Sequence, residues 1–231
     1  MQLTLLILPI LIPVLFWAGY HYYKDRHQPE PVGNLLFCFF LGVAASYLSK
    51  LMYLAVGSIG LRFDAYELAA SNLWHLFLYA VFVIGGIEET AKLLPFLIFA
   101  IRFKAFDENL DGIIYASFIA LGFAAMENLH YLEFLARDEA LYRGFAAPLV
   151  HIVFASVWGY WIGVAYLDGR PIFLTAFFTV TIAALLHGVY DFVVIALPVS
   201  ALPLSAALIL AIWIWRLLLI RRIKRAEGHL D

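Results

Sequence analysis

Residues 85–100 read GGIEETAKLLPFLIFA, an apolar run interrupted by two adjacent carboxylates and an ammonium. Each charge at the centre of a bilayer-spanning helix costs roughly 2.5–3.5 kcal/mol on insertion scales. If this run lies in a membrane, Glu88, Glu89 and Lys92 are too costly to be incidental. The rest of the chain puts it there. Of 231 residues 65% are hydrophobic and 14% charged, with a mean hydropathy of +0.90, which excludes a soluble domain with a polar surface.

A membrane-spanning helix needs about 20 apolar residues. Segments of that order lie near 3–20, 34–57, 73–101, 113–134, 147–167, 172–197 and 204–220. They predict an all-α polytopic transmembrane helical bundle of about seven spans, forming a single integral membrane domain over 1–231. The first segment has neither a basic leader nor a small-residue cleavage site and reads as a retained anchor. In this topology Lys24, Arg26, Arg102, Lys104, Arg170, Arg221, Arg222, Lys224 and Arg225 share one side, against Arg62, Arg137 and Arg143 on the other. Cytoplasmic connections carry the Lys and Arg excess, so the N-terminus is expected outside and the C-terminus in the cytoplasm. The basic run at 221–225 is explained as an anchor of that kind, which points to membrane lipid and not to nucleic acid. Cys38 is the only cysteine, so disulfides within the chain, iron–sulfur clusters and thiolate zinc sites are excluded. The amphipathic stretch 60–72 is expected to lie in the outer interface.

Groups that can ionise or donate strong hydrogen bonds concentrate in four of the seven segments. They are Glu88, Glu89 and Lys92; Glu127, Asn128 and His130; His151; and His187 with Asp191. The first, second and seventh segments read as scaffold, apart from Lys50 near the end of the second. Glu88 and Lys92 are four residues apart and share a helix face, which predicts that Lys92 holds Glu88 ionised. His187 and Asp191 repeat that step, so the aspartate is expected to orient the imidazole. Pro95 removes a backbone hydrogen bond and predicts a kink beside Glu88 and Lys92. By depth along the helices, all these groups fall between mid-membrane and the outer half.

Four ordered motifs, EETAK at 88–92, DGIIYASFIALGFAAMEN at 111–128, RGFAAPLVH at 143–151 and HGVYD at 187–191, resemble the PrsW family of intramembrane proteases, itself distantly similar to the CAAX prenyl endopeptidases. The resemblance covers about 70–191 and implies a protease-like core at about 70–197. It also implies residence in a bacterial inner membrane and cleavage of a membrane-anchored protein such as an anti-sigma factor. It places the water-activating glutamate at Glu88, the rest of that motif at Glu89 and Lys92, the second motif at Phe123 and Glu127, and the last at His187 and Asp191.

The residue chemistry agrees without the resemblance. Amide hydrolysis needs a base for water, donors for the oxyanion and an acid for the leaving nitrogen. Glu88 serves as base, His151, His187 and Asn128 as donors, and Glu127 or Glu89 as acid, with no cofactor. Two alternatives stay open. A metal enzyme would use Glu88, Glu127, His130, His151, His187 and Asp191, because Glu127-x-x-His130 has the spacing of helical carboxylate sites. A proton-coupled carrier would also gather such groups at mid-membrane.

Overall fold

The computed structural model describes residues 3–132, 137–226 and 228. Its elements are α1 (Leu3–Lys24), α2 (Val32–Ser58), α3 (Ala65–Ser71), α4 (Leu73–Tyr79), a π-helical segment (Ala80–Gly85), α5 (Gly86–Ile98), a 3-10 turn (Ala100–Arg102), α6 (Asn109–Tyr131), α7 (Arg137–Leu167), α8 (Ile172–Ala196), a second 3-10 turn (Val199–Ala201) and α9 (Leu202–Ala226). No strand occurs among the described residues. In hydrocarbon the backbone must satisfy its own hydrogen bonds, and helices do so within one segment.

Five helices, α2, α6, α7, α8 and α9, are long and apolar enough to cross a membrane. The third apolar segment of the sequence does not form one uniform helix. It is divided into α4, the π-helical segment and α5, none longer than 13 residues. The connection read at 135–146 is also shorter than the sequence suggests, because α7 starts at Arg137 and runs for 31 residues. Residues 133–136, where the fourth apolar segment meets the connection, lie outside the described set.

α6 is the axis of the bundle. Every residue from Leu110 to Ala124 is buried, as befits a helix that is apolar on all sides. Its neighbours approach closely because small residues line the crossings. A Cβ on Gly112 would lie 2.3 Å from the Gly159 carbonyl oxygen, and one on Gly122 would lie 1.9 Å from that of Phe39. These glycines seat α7 and α2 backbone to backbone on α6. Large apolar side chains cover the periphery, among them Phe40, Leu51, Phe173 and Leu174, all exposed as lipid-facing residues would be.

The seventh segment is more than scaffold. Arg216 of α9 is fully buried, with Nε donating to Ser156 Oγ at 2.8 Å and Nη2 to Ser117 Oγ at 3.1 Å. It thereby ties α9 to α7 and α6, with no carboxylate bonded to it among the described residues.

Candidate active site

The charged face of α5 is set by the π-helical segment before it. The sequence places the irregularity at Pro95, but α5 runs through that residue to Ile98, and the departure from α geometry lies at Ala80–Gly85. Two glycines account for the location. A Cβ on Gly85 would lie 2.4 Å from the Ala184 carbonyl oxygen, and one on Gly188 would lie 2.4 Å from Val81 Cα. The π-helical segment therefore docks directly on α8 beside His187 and delivers Glu88 and Glu89 to that residue. Single π turns of this kind recur at functional sites.

Glu89 is the buried hub. Its side chain and that of Lys92 have no exposed surface, and Lys92 Nζ lies 2.5 Å from Glu89 Oε1. His187 Nδ1 reaches the same oxygen at 2.8 Å, and Trp158 Nε1 donates to Oε2 at 3.0 Å. Lys92 thus pairs with Glu89, three residues away, and not with Glu88 as the four-residue spacing suggested. The partner that orients His187 is likewise Glu89. Asp191 Oδ2 lies 3.6 Å from His187 Nε2, too far for a hydrogen bond.

A second chain of contacts leads out of the hub. Lys92 Nζ lies 3.1 Å from His151 Nδ1. An ammonium can only donate, so Nδ1 accepts and the ring proton sits on Nε2, which lies 2.6 Å from Glu127 Oε2. Glu127 Oε1 in turn receives Arg143 Nη2 at 2.7 Å. Phe123 supports this row, with its ring centroid 4.9 Å from Lys92 Nζ and 5.3 Å from that of His151.

Exposure separates a sealed floor from an open rim. Glu89, Lys92, His151 and His187 form the floor, whereas the side chains of Glu88, Asp191 and Glu127 keep 13%, 19% and 23% of their surface. Glu88 contacts Tyr53 Oη at 3.4 Å through Oε1, and its Oε2 lies 3.8 Å from His187 Nε2. The structure thus brings together Glu88, Glu89, Lys92, Phe123, Glu127, His151, His187 and Asp191. Two of the residues singled out in the sequence stand apart. Asn128 is buried with neither side-chain polar atom hydrogen-bonded. His130 is bonded to Lys50 and to the Met126 carbonyl.

Sequence reasoning missed three residues here. Trp158 follows His151 by seven residues, so it shares that face of α7. Arg143 was assigned to a connection that is in fact helical. Tyr53 is one of 13 tyrosines in the chain, and nothing in the sequence around it marks it out.

The donor set also fits a divalent metal ion. Glu88, His151 and His187 each offer a ligand atom, all within 4.8 Å of one another, and two imidazoles with a carboxylate make an open catalytic set. Glu89 holds His187 by Nδ1 and leaves Nε2 directed at the rim, the outer-shell arrangement that metal-ligating histidines use. His151 has both ring nitrogens engaged and would exchange one partner on ligation.

The pattern described as PrsW family intramembrane metalloprotease matches residues 30–218. This chain belongs to the PrsW family. It is 34% identical over 222 residues to Protease PrsW of Clostridioides difficile (strain 630), covering 92% of this chain and 88% of that protein. It is 30% identical to Protease PrsW of Bacillus subtilis (strain 168), covering 81% of each, and 30% identical to that of Oceanobacillus iheyensis, covering 95% and 94%. No solved structure matches the chain significantly. As a PrsW-family member it is an intramembrane protease, a hydrolase of peptide bonds and a multi-pass protein of a bacterial cell membrane. Membership implies a membrane-anchored protein as substrate.

Proposed function

We propose that this PrsW-family chain cuts its substrate with a water activated by Glu88, in or near the outer half of the bilayer. The observation that carries this reading is the contrast between Glu88, partly exposed at the rim, and Glu89, sealed among three donors. A base must reach water, and an acceptor already saturated cannot take its proton. Glu88 takes the proton while the water oxygen bonds to the scissile carbon. His187 Nε2, carrying a proton in this reading, donates to the oxyanion. Glu88 then returns that proton to the leaving nitrogen, with Asp191 and Glu127 completing the rim and Phe123, Lys92 and Glu89 holding it in place. An anti-sigma factor is the substrate class that the family resemblance suggests.

The donor cluster and the family's description as metalloproteases favour a second reading, in which Glu88, His151 and His187 hold a divalent ion. Such an ion, when bound, polarises the scissile carbonyl and acidifies a water. Glu89 would then keep the His187 lone pair on Nε2 directed at the ion, and Glu127 and Asp191 would be the remaining rim carboxylates. Metal analysis of the purified protein, paired with a peptidase assay with and without chelator, separates the two readings. Activity in metal-free protein supports the first; stoichiometric metal with chelator-sensitive cleavage supports the second.

The topology proposed for this chemistry keeps seven crossings, with α1 as the first and α4, the π-helical segment and α5 together as the third. The nine-to-three distribution of Lys and Arg supports an external N-terminus and a cytoplasmic C-terminus. The site then lies toward the outer ends of α6 and α8, with Glu127 and Asp191 roughly 6–8 Å from those ends at 1.5 Å per residue. Residues 1–231 act as one domain around a protease-like core at about 70–197.

A further inference from the structure

The inward face of α2 is a stripe of buried residues, Leu35, Cys38, Gly42, Ala45, Ser46 and Ser49. Most are small, and the stripe closes directly on α6, where a Cβ on Gly42 would lie 1.9 Å from the Ile119 carbonyl oxygen. Tyr53 is the next position on this face, four residues after Ser49 and eleven after Gly42. Eleven residues at roughly 100° each return to within about 20° of the same direction. Its hydroxyl donates to Glu88 Oε1 at 3.4 Å, while His187 Nε2 faces the other oxygen, Oε2, at 3.8 Å. The carboxylate at the rim is thus flanked by one donor from α2 and one imidazole from α8.

We propose that Tyr53 is a catalytic residue that donates a hydrogen bond to the oxyanion of the tetrahedral intermediate. The assignment rests on the reading of Glu88 as the base. Attack forms the bond between the water oxygen and the carbonyl carbon, moves the carbonyl π electrons onto its oxygen and transfers one water proton to Glu88. Negative charge therefore leaves Glu88 and appears on the substrate, roughly 3 Å from the attacking water. The Tyr53 hydroxyl, whose one hydrogen-bond acceptor among the described residues is Glu88, follows the charge to the new oxyanion and keeps its own proton. His187 Nε2 is the second donor to that oxyanion, while Lys92 is sealed against Glu89 in the floor and Arg143 Nη2 is held by Glu127. Asn128 has no hydrogen bond to Glu88.

The test uses the full-length protein in proteoliposomes and a single-span reporter peptide that the wild type cleaves, chosen from a quenched-fluorescence library. Tyr53→Phe should lower kcat by about 10²-fold, the usual cost of one oxyanion donor, with KM changed less than twofold. A phosphinic analogue of the reporter, which mimics the tetrahedral intermediate, should lose a similar factor in affinity. Binding of the intact reporter to Glu88→Gln should be the same with and without Tyr53→Phe. Replacing Tyr53 by p-aminophenylalanine restores a donor and should recover at least tenfold in kcat over Phe. If Tyr53→Phe does not fold, the p-aminophenylalanine variant should still bind the analogue within tenfold of wild type, and loss of that binding overturns the proposal. A kcat within threefold of wild type for Tyr53→Phe, equal loss of reporter and analogue binding, or an amino variant no faster than Phe also overturns it. If the wild type cleaves no library member, the protease assignment fails instead, and if Glu88→Gln cleaves normally, the base assignment does.

Discussion

Lys92 Nζ and Glu89 Oε1 lie 2.5 Å apart with neither side chain exposed, so the ammonium in the α5 run neutralises the sealed carboxylate and leaves Glu88 for the rim. Removing one partner of such a buried pair strands the other charge and costs about 3–5 kcal/mol. Lys92→Met is therefore expected to lower the thermal unfolding temperature in detergent steeply. The double variant Lys92→Met/Glu89→Gln carries no stranded carboxylate and should unfold at a higher temperature than Lys92→Met alone. Equal or lower stability of the double variant contradicts the pairing.

Glu88 has the opposite profile. It is partly exposed and, among the described residues, has no hydrogen bond shorter than its 3.4 Å contact with Tyr53. Glu88→Gln keeps the size of the side chain and should abolish cleavage of a membrane-anchored reporter while leaving the unfolding temperature near that of wild type. Near-normal cleavage by the purified variant removes Glu88 from the role of base.

Much of this was legible in the sequence because the cost of charge in hydrocarbon restricts where it can occur. Glu88, Glu89, Glu127, His151, His187 and Asp191 stand out against apolar runs, and the structure brings them into one cluster. Spacing alone misassigned the partners. A helix places residues three and four apart on nearly the same face, so Lys92 can reach either Glu88 or Glu89, and the choice is made by Trp158 and His187 from other helices. The π-helical segment was hidden for a similar reason. It depends on Gly85 meeting Gly188 across the α8 contact, a tertiary event with no local signal stronger than two glycines. Arg216 escaped notice because a single charge in an otherwise apolar segment barely lowers its hydropathy.

His187 should be coupled to Glu89 and much less to Asp191. Glu89 is 2.8 Å from Nδ1, whereas Asp191 stands 3.6 Å from Nε2. Groups acting as one unit give strongly non-additive losses, while independent ones sum in free energy. Cleavage rates of His187→Ala, Glu89→Gln, Asp191→Ala and the two double variants with His187→Ala, at matched amounts of folded protein, form two cycles. The His187/Glu89 cycle should show a coupling of at least about 1 kcal/mol. If the Asp191 cycle shows the larger coupling, the orienting role returns to Asp191.

Reporter fusions test the orientation on which the depth of the site depends. Fusions after residue 231 and within 24–32 should report the cytoplasm, since these stretches follow or hold Lys24, Arg26 and the basic run at 221–225, and one within 135–146 should report the outside. A C-terminal fusion that reports the outside reverses the orientation and moves cleavage to the cytoplasmic half.

The last prediction concerns the connection between α1 and α2. Glu30 is buried there, with Tyr115 Oη donating to its carboxylate and its own backbone N–H donating to Asp25 Oδ2 at 2.8 Å. Burial, helped by the neighbouring Asp111 and Asp25, pushes its pKa up from 4.5 to about 9. The folded state thus keeps a proton that the unfolded chain gives up near pH 4.5. Between those two values the unfolded state binds fewer protons than the folded one, so stability falls as pH rises across that window. Glu30→Gln mimics the protonated carboxyl, accepting from Tyr115 and donating toward Asp111, but has no proton to lose. Unfolding temperatures in detergent should therefore match wild type near pH 4 and exceed it by a growing margin up to pH 9. A margin that does not grow with pH would show that Glu30 is already ionised in the folded protein.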